Sequence, residues 1–135
     1  MSNTYLAWAQ RNFTLNGITG NHKLVRGNCL EWLSHQAHAQ QKAEFDLIFL
    51  DPPTFSNSKK MDEAFDIQKD HVTLIHNAMT LLAPNGILYF STNFRRFKMN
   101  LEALRDFVID DISKKMIADD FSRNSRIHYC WKITH

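Results

Sequence analysis

Apolar residues recur at helical spacing at the start of the chain. Tyr5, Leu6, Ala9 and Phe13 share one face, Ser2 or Asn3 can cap the start, and Gly17 suits a left-handed exit. A helix over residues 3–16 is therefore predicted, followed by a short strand near Lys23–Arg26. Asn28-Cys29-Leu30-Glu31 has the Asn-x-x-Glu spacing of a capping box, and opens a helix with Leu30, Leu33 and Ala37 inward. The polar, Gln/Ala-rich tract 36–44 ends it. Phe45–Leu50 is the strongest strand signal. It is apolar almost throughout, as expected of a strand covered on both faces, and Pro52 and Pro53 stop it. Asp62–Leu82 reads as a long helix with Val72, Ile75, Met79 and Leu82 inward. Pro84-Asn85-Gly86 breaks the chain before a second buried strand, Ile87–Ser91. Met99–Phe107 is a further predicted helix with Leu101 and Leu104 inward, and the tail offers weaker strands near Val108–Met116 and Ile127–Thr134. Helix and strand alternate, which favours an α/β class with a parallel sheet and helices on its faces. Residues 1–135 form one predicted domain, without repeat or linker.

Composition narrows this only a little. With 44% hydrophobic and 12% aromatic residues, the chain can supply a real core and is neither disordered nor fibrous. A net charge of +2 does not announce a nucleic-acid binder, so the placement of the cations matters more than their sum. Cys29 and Cys130 lie far apart without metal-ligand spacing and read as reduced thiols. No apolar run is long enough for a membrane span and no signal peptide is visible. A cytoplasmic protein without a membrane partner is the expectation.

In open α/β sheets, ligands bind beyond the carboxyl ends of strands, where Asp51 falls. Pro52 and Pro53 have fixed φ and no N–H, so their carbonyls point in nearly set directions and can meet a base edge without an ordering cost. Phe55 can stack on that base. The plainer alternative is a strand terminator followed by a turn.

The run Phe45-Asp46-Leu47-Ile48-Phe49-Leu50-Asp51-Pro52-Pro53-Thr54-Phe55-Ser56-Asn57-Ser58-Lys59 resembles the carboxyl-terminal module of the bifunctional bacterial 23S ribosomal RNA methyltransferases. The likeness extends to Tyr5–Asn12, Ala64–His71, Arg95–Met99, Asp120–Asn124 and Ile127–Trp131, nearly the whole chain. It implies a Rossmann-like fold dependent on S-adenosylmethionine, and methylation of guanine N7 in large-subunit RNA. Asp51, Pro52, Pro53, Thr54 and Phe55 would form the reaction centre. Asn28, with Cys29 beside it and Asp51 opposite, would meet the cofactor, Asn28 at the adenine amino group; an ordinary helix cap is the alternative for Asn28. Met1 would lie beside the adenine. Such enzymes open with a strand, a glycine-rich turn and a second strand ending in an acid. No Gly-x-Gly pattern occurs here, so the resemblance implies a fold truncated at its amino end, beginning just after that acid.

Guanine N7 has an in-plane lone pair and no proton to remove, so the reaction needs no general base. No cysteine lies in or beside the Asp-Pro-Pro loop, against the cysteine-dependent route to pyrimidine C5. Adenine N6 is the nearest rival target, and Thr54, where that chemistry usually has an aromatic residue, favours the ring nitrogen. Lys59 and Lys60 follow the site loop, and Arg95, Arg96 and Lys98 follow the second strand; both clusters are expected at the same sheet edge as Asp51, facing ribosomal RNA. Solvated surface is the alternative for each, and the preferred one for Lys114-Lys115. His35 with His38, and His71 with His76, lack a matched third ligand, so no metal is expected. Trp8, Trp32 and Trp131 read as core or interface. Rival functions are a non-catalytic RNA-binding or dimerising fragment without cofactor, pairing through an exposed sheet edge, and a methyltransferase for another substrate.

Overall fold

The computed structural model of the chain describes residues 3–39, 45–56, 64–117 and 128–135. Helices α1 (Asn3–Leu15) and α2 (Cys29–His38) precede strand β1 (Phe45–Leu50). A small hairpin, β2 (Phe55–Ser56) and β3 (Phe65–Asp66), leads into α3 (Ile67–Leu81). Then come β4 (Leu82–Thr92), β5 (Val108–Asp111), the short α4 (Ser113–Met116) and β6 (Tyr129–Thr134). The main sheet runs β1-β4-β6-β5.

β4 is one of the two inner strands, and its alternation sorts the sheet into two unlike faces. Leu88 lies opposite Ile48 on one side and Ile133 on the other, and Phe90 opposite Leu50 and Trp131. These side chains share the core with Ile67, Leu74, Ile75, Ala78 and Met79 of α3, and with Leu33 of α2. The ring of Phe90, wholly buried, stands 5.7 Å from Phe97 and 5.8 Å from Trp131. Burial of this kind supplies most of the folding free energy, at about 25 cal/mol per Å² of apolar surface.

The other face carries Leu47, Phe49, Ile87 and Tyr89. Leu47 is 60% and Phe49 66% exposed. β1 is therefore open on one face, a correction to the expectation of a strand covered on both. Nor is the sheet parallel throughout. β1 and β4 run parallel, whereas β6 is antiparallel to both β4 and β5.

Other departures have local causes. Pro84-Asn85-Gly86 does not break the chain: β4 runs through it, with a register shift opposite Phe45–Leu47 that absorbs the extra residues. Residues 101–106 turn without becoming helical, although Leu104 is buried as expected; Leu101 is exposed. Lys23–Arg26 is not a strand, and α3 begins at Ile67, after β3. Val108–Met116 divides into β5 and α4. Of the tryptophans, Trp131 is in the core, while Trp8 and Trp32 are exposed. Among the described residues no helix is long and apolar enough to cross a membrane.

The bulge depends on Gly86. A Cβ there would stand 2.9 Å from the Phe45 carbonyl oxygen and 2.8 Å from Leu82 Cγ, and the backbone oxygen has little room to yield. Gly86→Ala is expected to cost about 1–3 kcal/mol in urea unfolding. Gly20→Ala, where nothing lies within 4 Å, should stay within about 0.5 kcal/mol of the parent. Equal stability of the two variants would refute this account of the bulge.

Candidate active site

Parallel pairing of β1 with β4 sets Leu50 opposite Phe90, so both strands release their chains at one edge. Asp51 follows β1, and its Oδ1 accepts a 2.6 Å hydrogen bond from the Ser91 hydroxyl of β4. Two residues on, Asn93 Oδ1 accepts from the Thr54 hydroxyl at 2.9 Å. The Thr54 carbonyl accepts from the Ile67 amide at 3.2 Å, and Phe55 and Ser56 pair with β3. Asp51-Pro52-Pro53-Thr54 is thus tied down from two sides, although neither proline has an amide hydrogen to contribute. Phe55 is 56% exposed, its ring free to meet a planar ligand.

An open cavity of about 1030 Å³ lies between this loop and the amino end of α2. Arg26, Gly27, Asn28, Cys29, Leu30 and Glu31 form one wall; the segment from Phe49 to Pro53 forms another, and Phe65 and Leu74 close it from behind. The arrangement brings Asn28 and Cys29 to the same space as Asp51, Pro52 and Pro53. Asn28 is the cap of α2: its Oδ1 accepts from the Leu30 amide at 3.1 Å and its Nδ2 donates to Glu31 Oε1 at 3.0 Å. One Nδ2 hydrogen and one Oδ1 lone pair are used in this way, which leaves the second of each and the backbone there for a ligand. Cys29 is exposed as a residue, yet the packing around its sulfur raises the thiol pKa by desolvation. Burial, then the carboxylates of Asp111 and Asp51, push up the Cys130 thiol as well. Both are protonated at neutral pH and neither is poised as a nucleophile.

No protein-family model matches the chain. Among curated proteins, the ribosomal RNA large subunit methyltransferase K/L of Hahella chejuensis is 52% identical over 135 residues, covering 100% of this chain. The protein of the same name from Saccharophagus degradans is 53% identical over 136 residues, again across 100% of the chain. The chain is a homologue of the carboxyl-terminal part of these methyltransferases. It spans only 18% and 17% of those two relatives. Among solved structures, a S-adenosylmethionine-dependent methyltransferase from Agrobacterium tumefaciens matches with a TM-score of 0.69 at 13% identity, over 98% of this chain and 45% of that one. A candidate methyltransferase complexed with S-adenosylhomocysteine matches with a TM-score of 0.70 at 19% identity, over 99% of this chain and 37% of that one. These likenesses show that the chain shares the Rossmann-like fold of those structures.

Arg95, Arg96 and Lys98 are exposed in the segment leaving β4, at the same sheet edge as Asp51. Lys59, Lys60, Met1 and the run 120–124 lie outside the described residues. Pattern reading missed Arg26, Phe65 and Leu74 as cavity walls; only their assembly in space marks them. It also weighed His71 solely as a metal ligand. His71 is buried, its Nδ1–H donates to the carbonyls of Gln68 at 2.9 Å and Ile67 at 3.1 Å, and its Nε2 accepts from the Asn100 amide at 3.1 Å. Two carbonyls on one nitrogen and a donor on the other fix the neutral Nδ1–H tautomer.

Desolvation lowers the His71 pKa, against the opposing pull of those carbonyls and of Asp70. The unfolded chain therefore takes up this proton first. The contribution to stability is complete above about pH 6.5 and is lost as pH falls through that value towards the lower folded one. Urea midpoints should decline from pH 7.5 to 5.5, less steeply in His71→Gln. Parallel pH profiles for parent and variant would refute the assignment.

Proposed function

We propose that this chain is the reaction-centre half of a S-adenosylmethionine-dependent methyltransferase that acts on N7 of a guanine in 23S ribosomal RNA. The observation that carries the reading is the bracing of Asp51-Pro52-Pro53-Thr54 by Ser91 and Asn93 at the mouth of the cavity. The relatives named as ribosomal RNA methyltransferases supply the substrate class.

The cavity suits the cofactor. Leu30, Leu50, Phe65 and Leu74 give it apolar surface for an adenine, while Arg26, Glu31 and Asp51 supply charges for the cofactor's polar groups. When bound, the cofactor brings a methyl group already activated by its sulfonium. The chain's task is then alignment and exclusion of water. Asp51 and the carbonyls of Pro52 and Pro53 orient the base, and Phe55 stacks against it. The N7 lone pair takes the methyl without giving up a proton, so no residue acts as a base. Arg95, Arg96 and Lys98 hold phosphates around the site, and Lys59 and Lys60 add two cations to the sequence that follows the Asp-Pro-Pro loop. Such a reaction places the chain in the cytoplasm with the ribosome.

Titration of S-adenosylhomocysteine into the 135-residue chain should show binding in the micromolar range, weakened at least about tenfold by Asp51→Ala. Binding unaffected by that substitution would remove Asp51 from the cofactor site. Methyl transfer to ribosomal RNA by the longer relative, followed by mapping of the modified atom, tests the N7 assignment; a methyl on adenine N6 would overturn it.

A second reading draws on the exposed apolar face of Leu47 and Phe49 at the outer strand β1. An open strand of this kind invites pairing, and a second copy of the chain would close it as a homodimer, with or without cofactor. Light scattering should then report twice the monomer mass, reverting to monomer in Leu47→Lys. A monomer at all concentrations rules the homodimer out.

A further inference from the structure

The segment that follows β4 carries three exposed cations on a main chain that is held at several points. The Gln68 carboxamide of α3 reads both main-chain groups of Lys98: its Nε2 donates to the Lys98 carbonyl at 2.9 Å, and its Oε1 accepts from the Lys98 amide at 2.9 Å. One side chain thus does for Lys98 what a neighbouring strand would do. Less than one turn along the helix, His71 holds Asn100 by its amide. Phe97 points inward between them, 7% exposed, with its ring 4.9 Å from His71 and 5.3 Å from Trp131. At the near end Thr92 Oγ1 accepts from the Phe94 amide at 3.2 Å, and the Tyr129 hydroxyl donates to the Arg95 carbonyl at 3.2 Å.

Anchoring therefore alternates with presentation. Phe97 and the backbone at 95, 98 and 100 face the protein, while the side chains of Arg95, Arg96 and Lys98 stand in solvent. A loop that is already ordered loses less conformational freedom when it meets a polyanion. We propose that Gln68 is a positioning residue for RNA binding, its carboxamide holding the segment that presents Arg95, Arg96 and Lys98 in the conformation that engages phosphates. This rests on the RNA reading above and adds to it a residue that carries no charge and touches no RNA.

The test uses the 135-residue chain and a fluorescein-labelled RNA stem-loop, with affinity measured between 50 and 200 mM salt. Arg95→Ala combined with Arg96→Ala examines the RNA reading itself, and should flatten the salt dependence by a slope of about 2. Gln68→Met, similar in shape but unable to make either bond, should weaken binding about three- to tenfold. It should also reduce the salt slope and speed hydrogen exchange at the Lys98 amide. Gln68→Glu keeps the acceptor but sets a carboxylate oxygen against the Lys98 carbonyl, so it should speed that exchange as well, and it serves if the methionine variant does not fold. A Gln68 variant that exchanges Lys98 faster yet keeps the parent affinity and salt slope overturns the proposal. So does unchanged exchange at Lys98. If the double arginine variant leaves the slope unchanged, the RNA reading itself has failed and the role of Gln68 goes with it.

Discussion

Leu50 faces Phe90 in the parallel ladder joining β1 to β4, and that pairing decides where both strands let go of their chains. Because they run parallel side by side and β4 continues two residues past the pair, a carboxylate one residue beyond β1 meets a hydroxyl near the end of β4. The same edge then receives everything that leaves β4, including Arg95, Arg96 and Lys98. A slip of one residue in this register would turn Ser91 to the other face of the sheet and leave Asp51 without its partner. The two prolines sharpen the dependence. They cannot donate to any ladder, so the loop owes its position to side chains at its ends, Asp51 and Thr54, and to the backbone bond from Ile67.

Much of the local structure was legible in the sequence because its causes are local. The cap at Asn28 announces α2, the apolar run announces β1, and Asp51-Pro52-Pro53 announces the end of that strand. What failed to show is what depends on distance. Ser91 and Asn93 lie 40 and 39 residues from the groups they hold, and no spacing rule connects them. Strand direction is equally silent, since periodicity is the same for a strand read either way; β6 therefore arrived antiparallel in what looked like a parallel sheet. The supposed helix at Met99–Phe107 shows the converse. Leu101 and Leu104 have helical spacing, and Asn100 Oδ1 accepts from the Ala103 amide as a cap would. Tethers at Lys98, Asn100 and Ala103, the last through His76 Nε2, override that local preference.

The two faces of the sheet have different obligations. On one, α2, α3 and the segment containing Phe97 and Leu104 seal Leu88, Phe90 and Ile133 from water. On the other, Leu47 and Phe49 remain in solvent, and α1 has no buried residue although Tyr5 and Trp8 share its surface. An isolated helix of 13 residues is marginal in water, and an amphipathic one draws its stability from what its apolar side meets. Exposed Leu47 and Phe49 likewise forfeit the roughly 1.5–3 kcal/mol each that full burial would bring. In the two relatives, of which this chain matches less than a fifth, a stretch about half identical to it lies within a longer protein. The edge that carries Asp51 stays braced in spite of this open side because its restraints run to Ser91 and Asn93 at the end of β4 and to Ile67 at the start of α3. Geometry at Asp51 and stability at β1 are therefore separable. A covering partner would act first on the strand's lifetime, and on the site only through the ladder to β4.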